Sequence, residues 1–194
     1  MALGVLLCAG LLIAVWTQSR GATANAGWLT FRDQKLGYSI SYPKGWTIDK
    51  KYVYAGFGPD HEIQGVAFHI PASMARGTNL SDNLTEVSLE SVDGAGRCDA
   101  ARFLPDPQNV HSIVENGMTY STATSEDAGA GNFYDETIFA LVGSSPCVAI
   151  RYFVHSTNFD NYDPGTVQKF DAALLESKFD RIRWTLTVLP AVPR

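Results

Sequence analysis

Three residues with useful chemistry recur at every fourth position in the last third of the chain: Cys147, Arg151 and His155. They lie in the stretch from Thr137 to His155, where two runs of β-forming residues flank Gly143-Ser144-Ser145-Pro146. Turn formers between two such runs are typical of a β-hairpin. The stretch is also the most apolar part of the chain outside the N-terminus, so we expect it at the centre of a sheet.

The register of this hairpin predicts a candidate binding surface. If the four turn formers are the whole connection, the cross-strand pairs are Arg151 with Ile138, Phe153 with Glu136, and His155 with Tyr134. Because side chains alternate between the two faces of a sheet, one set shares the face opposite the core. This set is Tyr134, Glu136, Arg151, Phe153 and His155.

Glu136 is diagonal to both Arg151 and His155 in this register. A carboxylate in that position favours the charged imidazole, which predicts that His155 is a pH-sensitive contact. The alternative is an ordinary solvated sheet face that carries a weak cross-strand ion pair. A register slip of one residue would exchange Glu136 for Asp135.

The sequence carries no familiar catalytic signature. It has no Gly-x-Ser-x-Gly elbow, no His-Glu-x-x-His pair and no phosphate-binding loop. The glycines between Glu126 and Asn132 do not form a dinucleotide fingerprint, and His61 and His69 have no identifiable third ligand for a metal. We therefore predict no catalytic residue, no metal site and no cofactor.

The N-terminal segment has the features of an export signal. An uncharged apolar run from Ala2 to Trp16 is followed by Ala24-Asn25-Ala26, the small-x-small form that signal peptidase cleaves. Cleavage after Ala26 would leave one domain, residues 27–194. The alternative is an uncleaved anchor, the chain's only expected membrane contact, although the run is shorter than the roughly 20 residues that span a bilayer. No Lys or Arg precedes the run, so either the signal is atypical or the start codon lies upstream.

The cysteines fit the same compartment. Cys8 would leave with the signal, and the remaining pair, Cys98 and Cys147, is expected to form a disulfide in an exported chain. A redox role usually needs two cysteines close in sequence, and a zinc site needs further ligands. The predicted localisation is periplasmic or secreted.

The segment Gly37-Tyr38-Ser39-Ile40-Ser41-Tyr42-Pro43-Lys44-Gly45-Trp46 has the period of a half-buried strand that ends at a proline. This segment resembles the first hairpin of PsbP-like domains, the fold of photosystem extrinsic proteins and of Ran-binding proteins of the Mog type. The resemblance implies an antiparallel sheet packed with helices, and a chain that closes with a helix and a short strand. It implies no functional residue, because the matching positions are structural.

Other segments predict the remaining elements. Asn116-Gly117 marks a tight hairpin. Glu86 to Val92 alternates charged and apolar residues, which predicts a strand with one solvated face, whereas Asp127 to Asn132 is expected to be a flexible acidic loop. A helix is expected to begin near Pro164 and to turn Phe170 and Leu174 toward the sheet, and a closing strand to run from Ile182 to Val188. The predicted class is α+β, an antiparallel β-sheet packed with a C-terminal helix.

Composition limits the function classes. The chain has 194 residues, a formal net charge of -5 and no basic block, so nucleic acid is not an expected partner. Three hypotheses remain open. The first is an exported non-catalytic binding or accessory module of the cell envelope, with an envelope protein or a small ligand as its partner. The others are a periplasmic hydrolase that uses His155 and nearby acidic residues, and a structural envelope protein.

Overall fold

A computed structural model describes residues 27–94 and 96–189. The expected export signal, residues 1–26, lies outside this range. The strands are β1 (Trp28–Asp33), β2 (Tyr38–Pro43), β3 (Thr47–Asp49), β4 (Val53–Tyr54), β5 (Ile63–His69), β6 (Glu86–Val92), β7 (Gln108–Glu115), β8 (Met118–Gly129), β9 (Asn132–Leu141), β10 (Cys147–Thr157) and β11 (Thr187–Val188). The helices are α1 (Ala72–Ala75) and α2 (Ala172–Arg183), with short 3-10 helices at Ala100–Phe103 and Phe159–Asn161.

The strands form two antiparallel sheets. The large sheet has the order β3-β5-β6-β10-β9-β8-β7, with β4 beside β5, and the small sheet has the order β1-β2-β11. Strand β10 lies at the centre of the large sheet, between β6 and β9, as the apolar content of the hairpin predicted. The α+β class is confirmed, since antiparallel sheets are followed by one long helix and a short last strand.

The predicted register of the central hairpin is confirmed. Strands β9 and β10 pair with Arg151 opposite Ile138, Phe153 opposite Glu136 and His155 opposite Tyr134. A connection of four turn formers therefore predicts the observed register. The Asn116-Gly117 turn also joins β7 to β8 as expected, with φ angles of 49° and 77° that suit these two residue types.

The first core lies between one face of the large sheet, the small sheet and α2. Leu175, Phe179 and Ile182 are buried there, at a spacing of one helical face. Leu174, which was expected on this face, is 53% exposed, so that expectation is wrong. The helix begins at Ala172 instead of near Pro164, because the Asp171 side chain caps it by accepting a hydrogen bond from the Leu174 N–H group.

The helix also ends later than expected. It extends to Arg183, so Ile182 lies in its last turn and the closing strand is restricted to Thr187 and Val188. None of the helices in residues 27–94 and 96–189 combines the length and apolar character needed to cross a membrane.

A second core covers the opposite face of the large sheet. The 3-10 helix at Ala100–Phe103, Leu104 and Tyr54 pack over Ile138 and the alanines around it, and the Cys98–Cys147 disulfide lies within this layer. The expected solvated face of β6 is therefore wrong. Glu86 and Glu90 are only 3% and 0% exposed, because segments distant in sequence cover them.

The acidic glycine segment is a strand rather than a flexible loop. Strand β8 continues to Gly129 and pairs with β9 up to Asn132, which leaves a turn of two residues. Ala130 and Gly131 both have positive φ, 51° and 80°, the backbone form of the tight turn that suits the twist of a hairpin.

Candidate functional site

The five predicted binding residues share one face of the large sheet, but they divide into a buried part and an open part. Arg151 is completely buried, and Glu136 lies beside it with its side chain 12% exposed. Tyr134 and Phe153 are half-buried, and His155 is 9% exposed. We call Tyr134, Phe153 and His155 the open end, and Arg151 with Glu90, Glu136 and Tyr54 the Arg151 cluster.

Arg151 is held by partners from several elements. Its Nε donates to Glu90 Oε1 at 2.7 Å, and its Nη2 donates to Glu90 Oε2 and to the Phe103 carbonyl, both at 2.8 Å. Its Nη1 donates to Glu136 Oε2. The guanidinium lies 3.4 Å from the centre of the Tyr54 ring, and the Tyr54 hydroxyl donates to Glu136 Oε1 at 3.1 Å.

The electrostatics of the cluster follow from the burial of two carboxylates and one guanidinium in the same layer. Burial raises the pKa of the Glu136 carboxyl, and Arg151 opposes this effect. Burial acts to lower the pKa of Arg151, but the charges of Glu90 and Glu136 and their hydrogen bonds raise it overall. Burial also raises the pKa of the Tyr54 hydroxyl. The cluster therefore contains a permanent cation with satisfied partners and no activated nucleophile.

Glu90 and Tyr54 were not predicted as partners of Arg151. A usable signal was the alternation Glu86, Ser88, Glu90 in β6. Strand β6 pairs with β10 so that Ser88 is opposite Arg151, and Glu90 is two positions further along the same face. The alternative of a solvated cross-strand ion pair between Glu136 and Arg151 is wrong, because their side chains are only 12% and 0% exposed.

His155 is positioned by amide and carbonyl oxygens instead of by a carboxylate. Its Nδ1 lies 2.8 Å from the Asn83 carbonyl, and its Nε2 lies 2.9 Å from Asn132 Oδ1. Its ring stacks on Tyr134, with centroids 4.7 Å apart and planes at 21°. The expected contact with Glu136 is therefore wrong. Both ring nitrogens lie within hydrogen-bonding distance of a neighbouring oxygen.

A titratable pair lies beside the open end. His69 Nδ1 is 2.7 Å from Glu86 Oε2, and Glu86 is the β6 neighbour of Phe153. Glu86 Oε2 has no partner at a hydrogen-bonding angle, so the contact is an ion pair when His69 is protonated. The close polar contact with Glu86 raises the pKa of His69, and burial opposes this rise. Within residues 27–94 and 96–189, no three metal-ligating side chains come together.

The open end is aromatic and partly accessible. The Tyr134 and Phe153 rings lie 6.2 Å apart, and Phe153 also packs on the edge of the second core. Their inner neighbours are the satisfied groups of the Arg151 cluster. The open end therefore presents partly accessible aromatic rings next to a buried, hydrogen-bonded cluster.

Comparison with known proteins gives structural neighbours only. No protein-family model matches the chain, and no curated protein matches it. The chain is similar to a crystal structure of a protein from Bacteroides thetaiotaomicron VPI-5482, with a TM-score of 0.47 and 10% sequence identity. That match covers 83% of this chain and 48% of the other, so the chain spans about half the length of that protein.

The chain is also similar to the solution structure of cyanobacterial PsbP (CyanoP) from Synechocystis sp. PCC 6803. The TM-score is 0.43, with 19% identity over 89% of this chain and 98% of that one. A PsbP structure is thus among the neighbours, and the element order of the chain itself is the one that the motif at residues 37–46 implied. Neither neighbour supplies a residue role.

Proposed function

We propose that the chain is an exported, non-catalytic binding module of the cell envelope, and that a partner protein contacts it at the open end. The observation that carries this proposal is the contrast on one sheet face. The charged groups of the Arg151 cluster are buried and hydrogen-bonded to one another, whereas Tyr134 and Phe153 beside them remain half-accessible. Accessible aromatic rings on a rigid scaffold are common anchors of protein interfaces.

Export is supported by the disulfide. A bond between Cys98 and Cys147 persists in an oxidising compartment and is rare in the cytosol. The predicted cleavage after Ala26 remains a prediction, and intact-mass measurement of the protein from its own host would test it. The hydrolase hypothesis has no comparable support, because the contacts of His155 are with Asn83, Asn132 and Tyr134.

The test compares three forms of the full-length chain, each affinity-tagged and recovered from its own cell envelope after cross-linking. These forms are the wild type, Tyr134→Ala, and Val114→Ala as a control for loss of an exposed apolar side chain. Val114 lies in the edge strand β7 and is 72% exposed. We expect one defined protein to be recovered with the wild type and with Val114→Ala, and to be lost with Tyr134→Ala at unchanged thermal stability.

Two results would reject the proposal. Equal recovery with Tyr134→Ala would exclude the open end as the contact. Recovery of no partner, together with an envelope defect on deletion, would favour the structural hypothesis instead.

A further inference from the structure

A groove on the other face of the large sheet has the chemistry of a second site. It consists of two adjoining cavities, of about 170 Å³ and about 460 Å³, which share Asp135 and Phe170 in their walls. The smaller cavity lies between β9 and the first turns of α2, where Leu175 and Glu176 line it. The larger cavity opens toward Phe133 and Phe159. We call the two cavities together the α2 groove.

Hydrogen bonds of the buried Asn79 side chain connect the segments that line the larger cavity. Asn79 is 5% exposed, and its Nδ2 donates to the Thr157 carbonyl at 2.8 Å. Its Oδ1 accepts a hydrogen bond from the Phe170 N–H group at 3.0 Å. One buried amide thus joins the end of β10 to the segment before α2.

The groove combines aromatic rings with excess negative charge. Phe133 and Phe159 are each 41% exposed, and Phe170 is half-buried. The lining residues carry three carboxylates, those of Asp135, Asp160 and Glu176, against one ammonium group, that of Lys169. This composition is complementary to a cation with an apolar stem, since such a group gains from both carboxylates and ring faces.

Asp135 is the carboxylate best placed to receive that cation. It lies in both cavities, and among the described residues its side chain has neither an ion pair nor a hydrogen bond. Partial desolvation raises its pKa, and the charge of Glu126, its cross-strand neighbour, raises it further. A cation bound at this position would relieve the repulsion between the two carboxylates.

We infer that the α2 groove binds a lysine side chain presented by an extended segment of a partner polypeptide, with aromatic residues beside the lysine. The ammonium group contacts Asp135, and its methylene stem and neighbouring rings lie against Phe133, Phe159 and Phe170. This site is on the opposite sheet face from the open end and does not depend on it. A segment fits the shape, because the two cavities continue into each other along β9.

The first experiment is an NMR titration of the ¹⁵N-labelled full-length protein with acetyl-Gly-Phe-Lys-Phe-Gly-amide. The matched ligand is the same peptide with Nε-acetyl-lysine, which removes the charge and keeps the stem. We expect shifts at residues 133–137, 156–160 and 169–176, weaker binding of the acetylated peptide, and weaker binding of the charged peptide as salt concentration rises. Equal affinity for the two peptides, or shifts confined to the open end, would overturn the inference.

Matched protein variants complete the test. Asp135→Asn should weaken binding of the charged peptide about threefold to fivefold, the effect of a partly exposed ion pair. Asp127→Asn, which removes an exposed carboxylate on the other face of the same hairpin, should leave affinity unchanged. If the two variants weaken peptide binding equally, the peptide responds only to the net charge of the protein, and the proposed site is rejected.

A free-amine arm identifies the source of the cation. If n-butylammonium binds as tightly as the charged peptide, the occupant is a small amine, and the assignment to a polypeptide is wrong. Partner recovery through the open end is measured separately with Tyr134→Ala, so failure of either proposal leaves the other testable.

Discussion

Arg151 is the residue on which the second face of the sheet depends. Its guanidinium contacts β6 through Glu90, β9 through Glu136 and the covering layer through the Phe103 carbonyl and the Tyr54 ring. Taking three charges out of water costs free energy, and the interactions among them offset this cost only while all partners remain. The cluster therefore makes each of its members sensitive to removal of another.

We predict that Arg151→Met destabilises the fold by about 3–5 kcal/mol, because it leaves two buried carboxylates without a counter-charge. Urea unfolding followed by circular dichroism measures this change. Arg32→Met, at an exposed position of β1, is the control and should change the free energy of unfolding by less than about 0.5 kcal/mol. Similar small losses in both variants would contradict the role of the cluster.

The His69–Glu86 pair predicts a pH dependence of stability. The pKa of His69 is raised above 6.5 in the folded state by Glu86. Its contribution is therefore complete below about pH 6.5, the unfolded value, and is lost as pH rises through the higher folded pKa. The sign follows because the protonated ring is the form that the fold stabilises.

The measurement is the free energy of unfolding of wild type and His69→Gln across this pH range. We expect wild type to be the more stable protein on the acid side, with a difference that shrinks as pH rises. His61→Gln removes an exposed imidazole and is the matched control for the substitution itself. A difference that grows toward alkaline pH would show that the pair has the opposite sign.

At the scale of elements, local signals were sufficient where a turn fixes the geometry. Four turn formers and two alternating strands determine which residues of β9 and β10 face each other, and this register was predictable. The segments that cover these strands were not predictable. The layer over Arg151 comes from Tyr54 and from residues 98–104, and alternation within β6 indicates only that one side is polar.

The start of α2 shows the same limit. Pro164 is an acceptable residue for a first helical turn, but Asp171 is a cap as well, and its hydrogen bond to the Leu174 N–H group determines the observed start. The segment before the cap is extended, because Gln168 forms an isolated β-bridge with Thr78. The Asn79 N–H group donates a hydrogen bond to the Gln168 carbonyl. Such a tertiary contact has no local sequence signature.

Adjacent leucines on α2 give a direct test of its buried face. Leu175 is 4% exposed and Leu174 is 53% exposed. We expect Leu175→Ala to cost about 2–5 kcal/mol, because it leaves a cavity in the first core, and Leu174→Ala to cost less than about 0.5 kcal/mol. Both variants replace leucine by alanine and so change helix propensity equally. The difference between their free energies of urea unfolding therefore reports the difference in burial. A reversed order would mean that the helix is rotated on the sheet.

At the scale of the whole molecule, one large sheet separates two cores, and each core contains a buried arginine. Arg151 lies on one side. On the other, Arg183 is 2% exposed, donates to the Tyr152 hydroxyl and to Asp180 at 2.7 Å each, and also donates to Glu115. The first core thus joins α2 to β10 and β7 through charged contacts, and the second core is fastened by the disulfide.

Cys98 and Cys147 are 49 positions apart, and a crosslink that closes a loop of this size stabilises the fold by about 4 kcal/mol in the chain-entropy description. The double variant Cys98→Ser with Cys147→Ser should lose about this amount. The wild type in a reducing agent should match it, because both lack only the crosslink.

Thiol labelling of the unreduced protein from its own envelope decides whether the bond forms in the cell. We expect no reactive thiol if residues 1–26 are removed, since Cys8 leaves with them, and one if they are retained. Labelling at Cys98 and Cys147 would contradict the disulfide and the oxidising compartment together. Unchanged stability of the double variant would instead mean that packing holds the covering layer without the crosslink, through buried residues such as Phe103 and Leu104, which are 0% and 2% exposed.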